Sequence, residues 1–120
     1  MGAIIPVIKL AEGIIAAGGT AVTVPIYVNP YAQKTFYVKT DKQVNVYVKG
    51  GWNEDNLCNL KTGDKGGGSQ AEDADLVWEC NDEMICFPIE THISYMQVVL
   101  DNQDGSNAAN VECYMGGRSR

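Results

Sequence analysis

The sequence predicts an all-β chain: an antiparallel β-sandwich, jelly-roll-like or Ig-like, with an extended N-terminal arm. Three observations carry that prediction. Short runs of β-branched and aromatic residues recur along the chain, several of them alternate apolar and polar with period two, and turn-forming clusters separate them. The predicted organisation is an apolar arm over residues 1–19 and a sandwich domain over 20–120, with a Gly-rich polar insertion at 53–75.

The arm, MGAIIPVIKLAEGIIAAGG, is apolar but interrupted by Pro6, Lys9, Glu12 and Gly13. No basic residue precedes its apolar stretch, so it does not read as a secretory signal, and it falls short of the roughly 20 apolar residues of a membrane span. Pro6 stands where a myristoylation motif on Gly2 needs Ser or Thr. Val7 to Ala17 has room for about three helical turns, but Gly13 interrupts it. Ile4, Ile5, Val7, Ile8 and Leu10 are expected to pack on something, and the arm is suited to covering a sheet edge of its own subunit or of a neighbour.

Ala21 to Val28 (AVTVPIYV) reads as an edge strand or a bulged one, because Pro25 cannot donate to a central ladder. Lys34 to Thr40 and Gln43 to Lys49 alternate on either side of Asp41-Lys42, which predicts a hairpin with Tyr37 and Tyr47 stacked across its outer face. Leu76 to Glu79 and Met84 to Ile89 flank a second polar turn. His92 to Leu100 and Ala108 to Met115 flank the cluster from Asp101 to Asn107, where Asp104-Gly105 is a hairpin signal. The expected inward faces are Phe36/Val38, Val44/Val46/Val48, Met96/Val98/Leu100 and Val111/Cys113/Met115.

The chain carries 9 Lys and Arg against 15 Asp and Glu, a net charge of -6. An acidic chain lacks the basic face that neutralises phosphates, so no nucleic-acid partner is expected, and no membrane partner either. Ten of the 15 acids lie between Glu54 and Glu90, which is read as a solvated side of the sandwich. His92 is the single histidine, so histidine-pair chemistry and most catalytic metal sites are excluded. The run GDKGGGS lacks the order of a phosphate-binding loop and reads as surface. Glu54-Asp55 and Glu72-Asp73-Ala74-Asp75 lack calcium-loop spacing. No catalytic residues, no metal and no cofactor are expected, and the chain is not read as an enzyme.

Cys58, Cys80, Cys86 and Cys113 are the disulfide candidates. Cys80 and Cys86 flank a turn and are close enough in sequence to pair across it. Cys113 is in phase with the predicted core, and Cys58, in the acidic insertion, is placed to reach another subunit. Four unpaired thiols are the alternative.

From about Thr20 to Arg118 the layout resembles the small β-sandwich proteins encoded in many tailed-phage genomes beside structural genes. The resemblance rests on the run FYVKTDKQVNVYVKGGW, then an insertion, then Phe87-Pro88-Ile89, the strand Ile93 to Leu100, the polar turn Asp101 to Asn107, and a last strand Val111 to Arg118. It implies a head-decoration-like virion surface protein that reinforces a particle. The implied partners are further copies of itself, a major capsid protein or another virion protein, and the implied location is the virion, assembled in the host cytoplasm. An extracellular filament subunit joined by strand donation from the arm, or a carbohydrate-binding module using Trp52, are the alternatives.

Overall fold

The computed structural model describes residues 3–61, 75–89 and 93–119. They form β1 (Ile4–Ile15), β2 (Thr20–Val22), β3 (Ile26–Tyr27), β4 (Tyr31–Thr40), β5 (Gln43–Asn53), β6 (Asn56–Asn59), β7 (Val77–Asn81), β8 (Met84–Ile89), β9 (Tyr95–Asn102) and β10 (Ala109–Ser119). The first sheet has the order β1-β10-β4-β8. In the second, β2 and β3 lie end to end along β9, β9 pairs with β5, and β6 and β7 lie end to end along the far side of β5. Every pairing is antiparallel, and the expected β-sandwich is the fold.

All the residues expected to face inward are buried. Phe36, Val38, Cys113 and Met115 of the first sheet meet Val44, Val46, Val48, Met96, Val98 and Leu100 of the second. An aromatic column runs from Trp78 through Phe87 to Phe36, with ring centroids 4.1 Å and 5.6 Å apart. Trp78 belongs to the second sheet and the two phenylalanines to the first, so the column ties the layers together through offset ring contacts.

The expected hairpin at Asp41-Lys42 does not form. β4 belongs to the first sheet and β5 to the second, so the two residues are an arch that carries the chain from one layer to the other. Phase explains it. A two-residue hairpin pairs Thr40 with Gln43, which would set Phe36 and Val38 on one face with Asn45 and Tyr47. The arch lets both apolar sets turn inward. Tyr37 and Tyr47 therefore lie on opposite outer faces of the sandwich and cannot stack.

The connections 16–19, 82–83 and 103–108 are arches as well, including the Asp104-Gly105 segment expected to close a hairpin. The four arches stand side by side at one end and bond to each other. Gly18 N donates to Asp104 O, Gln103 N to Gln43 O, Asp41 N to Asn110 O and Asp82 N to Lys42 O. Gly18 adopts φ 66°, a left-handed conformation that costs a side-chain-free residue nothing. Two carboxylates fix this end. Asp41 accepts from Asn110 N and Nδ2, and Asp104 accepts from Ser106 N and Asn107 N. These bonds stabilise the charged forms and hold both carboxyls below the usual value. Asn102 is buried at the centre of the row. Its Nδ2 lies 3.3 Å, 3.1 Å and 3.0 Å from the carbonyls of Ile15, Ala16 and Asn107, while Oδ1 accepts from Asp104 N.

Candidate functional site

The segment expected to act as an arm is β1, the edge strand of the first sheet, paired with β10 of its own chain from Ile4 to Ile15. Ile15 is buried in the core, and Leu10 and Ala11 pack against it. Of the five arm residues singled out in the sequence, Leu10 and Ile5 are half-buried, whereas Ile4, Val7 and Ile8 are exposed.

The second sheet's edge on this flank is β2 and β3, joined to β1 by the four residues 16–19. It too displays apolar side chains: Val22, Val24 and Tyr27 are exposed. Among the described residues, ten large hydrophobic side chains are exposed, and seven belong to this flank: Ile4, Val7, Ile8, Ile14, Val22, Val24 and Tyr27. Ile4 and Ile14 are each 73% exposed and Val24 is 77% exposed, values that leave most of each side chain in water. Scattered surface hydrophobics are ordinary, but their gathering on the first strands of a chain is not. Ile14 is not among the arm residues singled out in the sequence, and Val22, Val24 and Tyr27 enter there as part of the strand expected over Ala21 to Val28. Their signal was the Val-Thr-Val-Pro run, over which the chain leaves the ladder between β2 and β3 at an edge of the sheet.

Both edges of the flank are protected against strand addition. β1 changes register twice, between Ile5 and Ile8 and between Lys9 and Ala11, and it carries Pro6. Lys9 Nζ and Glu12 Oε1 form a 2.6 Å ion pair on the same edge. On the other sheet the chain leaves the ladder between β2 and β3 at 23–25, where Thr23 N bonds to Val98 O and Thr23 Oγ1 accepts from Val98 N. Bulges, prolines and charges are the devices by which natural sheets refuse another strand. The flank therefore offers apolar side chains without an open backbone ladder.

Trp52 is 74% exposed at the β5–β6 hairpin, where β5 bulges between Gly51 and Asn53. A Cβ on Gly51 would stand 1.7 Å from Asn56 O, so only glycine permits this turn. Asn53 Oδ1 accepts from Asp55 N and Asn56 Nδ2, and Glu54 and Asp55 close the turn in solvent.

All four cysteines are free. The expected Cys80–Cys86 bridge is absent because β7 and β8 belong to different sheets and the two thiols face opposite ways, Cys80 inward and Cys86 outward. Desolvation pushes the Cys113 thiol up to about 12 and raises that of Cys80. A maleimide reagent should therefore modify Cys58 and Cys86 rapidly and Cys80 and Cys113 only in denaturant, as mass spectrometry of the labelled protein would record. Fast labelling of Cys113 in the native protein would contradict that burial.

At the arch end, Glu12, Asp41, Asp82, Glu83 and Glu112 with Lys39 line a cleft of about 410 Å³ that repels anions. His92, Gly66-Gly67-Gly68-Ser69 and Glu72-Asp73-Ala74 lie outside the described residues. Asp75 pairs with Lys61 and accepts from Asn59 Nδ2, and both contacts hold its carboxyl below the usual value.

No family model matches the chain, and no curated protein sequence matches it. Solved structures share its fold. It is similar to PBSX exported protein XepA at TM-score 0.72 and 6% identity, over 96% of this chain and 37% of that one. It is similar to tripeptidyl peptidase 2 at TM-score 0.56 and 8% identity, over 96% of this chain and 10% of that one, and to PirA at TM-score 0.50 and 7% identity, over 90% and 91%. The chain thus spans little more than a third of XepA, and at these identities the likeness is one of fold.

Proposed function

We propose that the protein is a non-catalytic virion surface protein, a capsid decoration protein that docks on a shell through the apolar flank formed by β1, β2 and β3. The carrying observation is the concentration of exposed Ile, Val and Tyr side chains on that flank. Burying each such side chain contributes about 1.5–3 kcal/mol, so a few of them suffice for a specific attachment. The likeness to part of XepA supports the sandwich as a module within a larger structural setting. Assembly into filaments by strand donation is disfavoured, because β1 is paired within its own chain and both flank edges are interrupted.

Ile14→Asp combined with Val24→Asp places one charge on β1 and one on the segment between β2 and β3 without touching the core. The double variant should keep its unfolding midpoint and lose at least about tenfold in affinity for shells lacking the protein, since a single buried apolar contact is worth that much. Co-sedimentation with purified shells measures it. Equal sedimentation of the variant and the wild type would remove the flank from the attachment.

A further inference from the structure

We propose that the outer face of the second sheet carries a binding site for a neutral saccharide, which borders the docking flank at β2 and is centred on β9 and β5. A cleft of about 410 Å³ opens there, lined by Thr20, Val22, Tyr47, Lys49, Asn59, Asp75, Val99 and Asp101. Strand register builds it. Val22, Val99 and Tyr47 are successive cross-strand neighbours on β2, β9 and β5, forming an apolar strip across the sheet. Toward the arch end Thr20 pairs with Asp101, and its hydroxyl donates to Asp101 Oδ1 across 3.1 Å. On the opposite side Lys49 pairs with Asn59, whose Nδ2 donates to Asp75 Oδ2 across 2.9 Å.

The chemistry of these walls selects the ligand class. A phenol ring and two valines suit the C–H face of a pyranose, while carboxylate, amide, hydroxyl and ammonium groups on both sides match alternating hydroxyl donors and acceptors. With Asp75 already paired to Lys61, Asp101 and Lys49 leave the walls without net charge, which suits a neutral ligand. The strip is built on three hydrogen-bonded strands, so the site is formed in advance of its ligand.

The test is an array of immobilised neutral oligosaccharides of glucose, galactose and N-acetylglucosamine units, probed with the full chain, followed by titration calorimetry on the best ligand. Tyr47→Ala and Asp101→Asn should each weaken binding by about tenfold or more, the loss of one good contact. Tyr47→Phe, which keeps the ring and its packing, should retain most of the affinity and guards against a folding defect in the alanine variant. Trp52→Ala, at the separate hairpin, should bind like the wild type. The proposal is overturned if the array is empty, if only acidic glycans bind, if Tyr47→Ala binds normally, or if Trp52→Ala alone abolishes binding. Shell co-sedimentation of Tyr47→Ala should be unchanged, so failure here is distinguishable from failure of the flank.

Discussion

A chain truncated to begin at Thr20 should fail to fold into a stable sandwich. β1 supplies nine residues in register with β10, from Ile4 opposite Arg118 to Ile15 opposite Ala109. Without it β10 becomes an open edge, and the inner residues Val111, Cys113 and Met115 lose their cover on that side. Removal of the buried Ile15 alone is worth about 2–5 kcal/mol, and the half-buried Leu10 and Ala11 go with it. The first arch disappears too, taking with it the carbonyls of Ile15 and Ala16 that the Asn102 amide bonds. Set against a typical domain stability of about 5–15 kcal/mol, these losses leave little. Size-exclusion chromatography and thermal unfolding should find aggregated or non-cooperative material. A monomeric truncated chain that unfolds cooperatively near the wild-type midpoint would contradict the structural role of β1. Truncation is consequently a poor assay of docking, since it removes the fold along with the flank, and the paired aspartate substitutions are the cleaner probe.

The sandwich was legible because inward alternation is a direct imprint of a two-layer core. Val44, Val46 and Val48, or Met96, Val98 and Leu100, have only one buried face available to them. Connectivity was harder to read, since a two-residue polar turn between alternating strands serves a hairpin and an arch equally well. At Asp41-Lys42 the deciding information was present as phase: the apolar positions before and after the turn are the wrong parity for a hairpin with a single core face. At Asn81 to Glu83 parity does not discriminate, and the crossing depends on contacts made by distant strands, such as Thr40 N to Glu83 O. The same crossing explains why the spacing of Cys80 and Cys86 misled. The apolar segment expected to cover a sheet edge, of its own subunit or of a neighbour, pairs with β10, which lies at the other end of the chain, and nothing local names it. The cleft on the second sheet was illegible for a similar reason, because Thr20, Tyr47, Asn59 and Val99 are brought together by register alone.

Asn102→Ala should destabilise the protein by about 3–5 kcal/mol, an effect far beyond that of an ordinary polar substitution. The amide joins three carbonyls and one N–H that belong to two different arches, and Asn102 is only 2% exposed, so water does not readily take its place. Alanine leaves those groups without their partner, and each buried orphan costs about 1–3 kcal/mol. Asn102→Asp gives a sharper signature. Its carboxylate still accepts from Asp104 N, but its other oxygen faces the Ile15, Ala16 and Asn107 carbonyls that the Nδ2 group formerly served. Burial and those oxygens raise the folded-state pKa of the new acid above its unfolded value of about 3.9. The native state then binds the proton more tightly, so stability is greatest below the unfolded pKa and declines as pH rises through the folded one. Denaturant midpoints of the Asn102→Asp chain should therefore improve from neutral pH toward pH about 4 relative to wild type measured in parallel, by up to about 1.4 kcal/mol for each unit of pKa elevation. Midpoints that differ from wild type by the same amount at both pH values would mean that the arch carbonyls do not sense the charge, and the row of arches would lose its central tie.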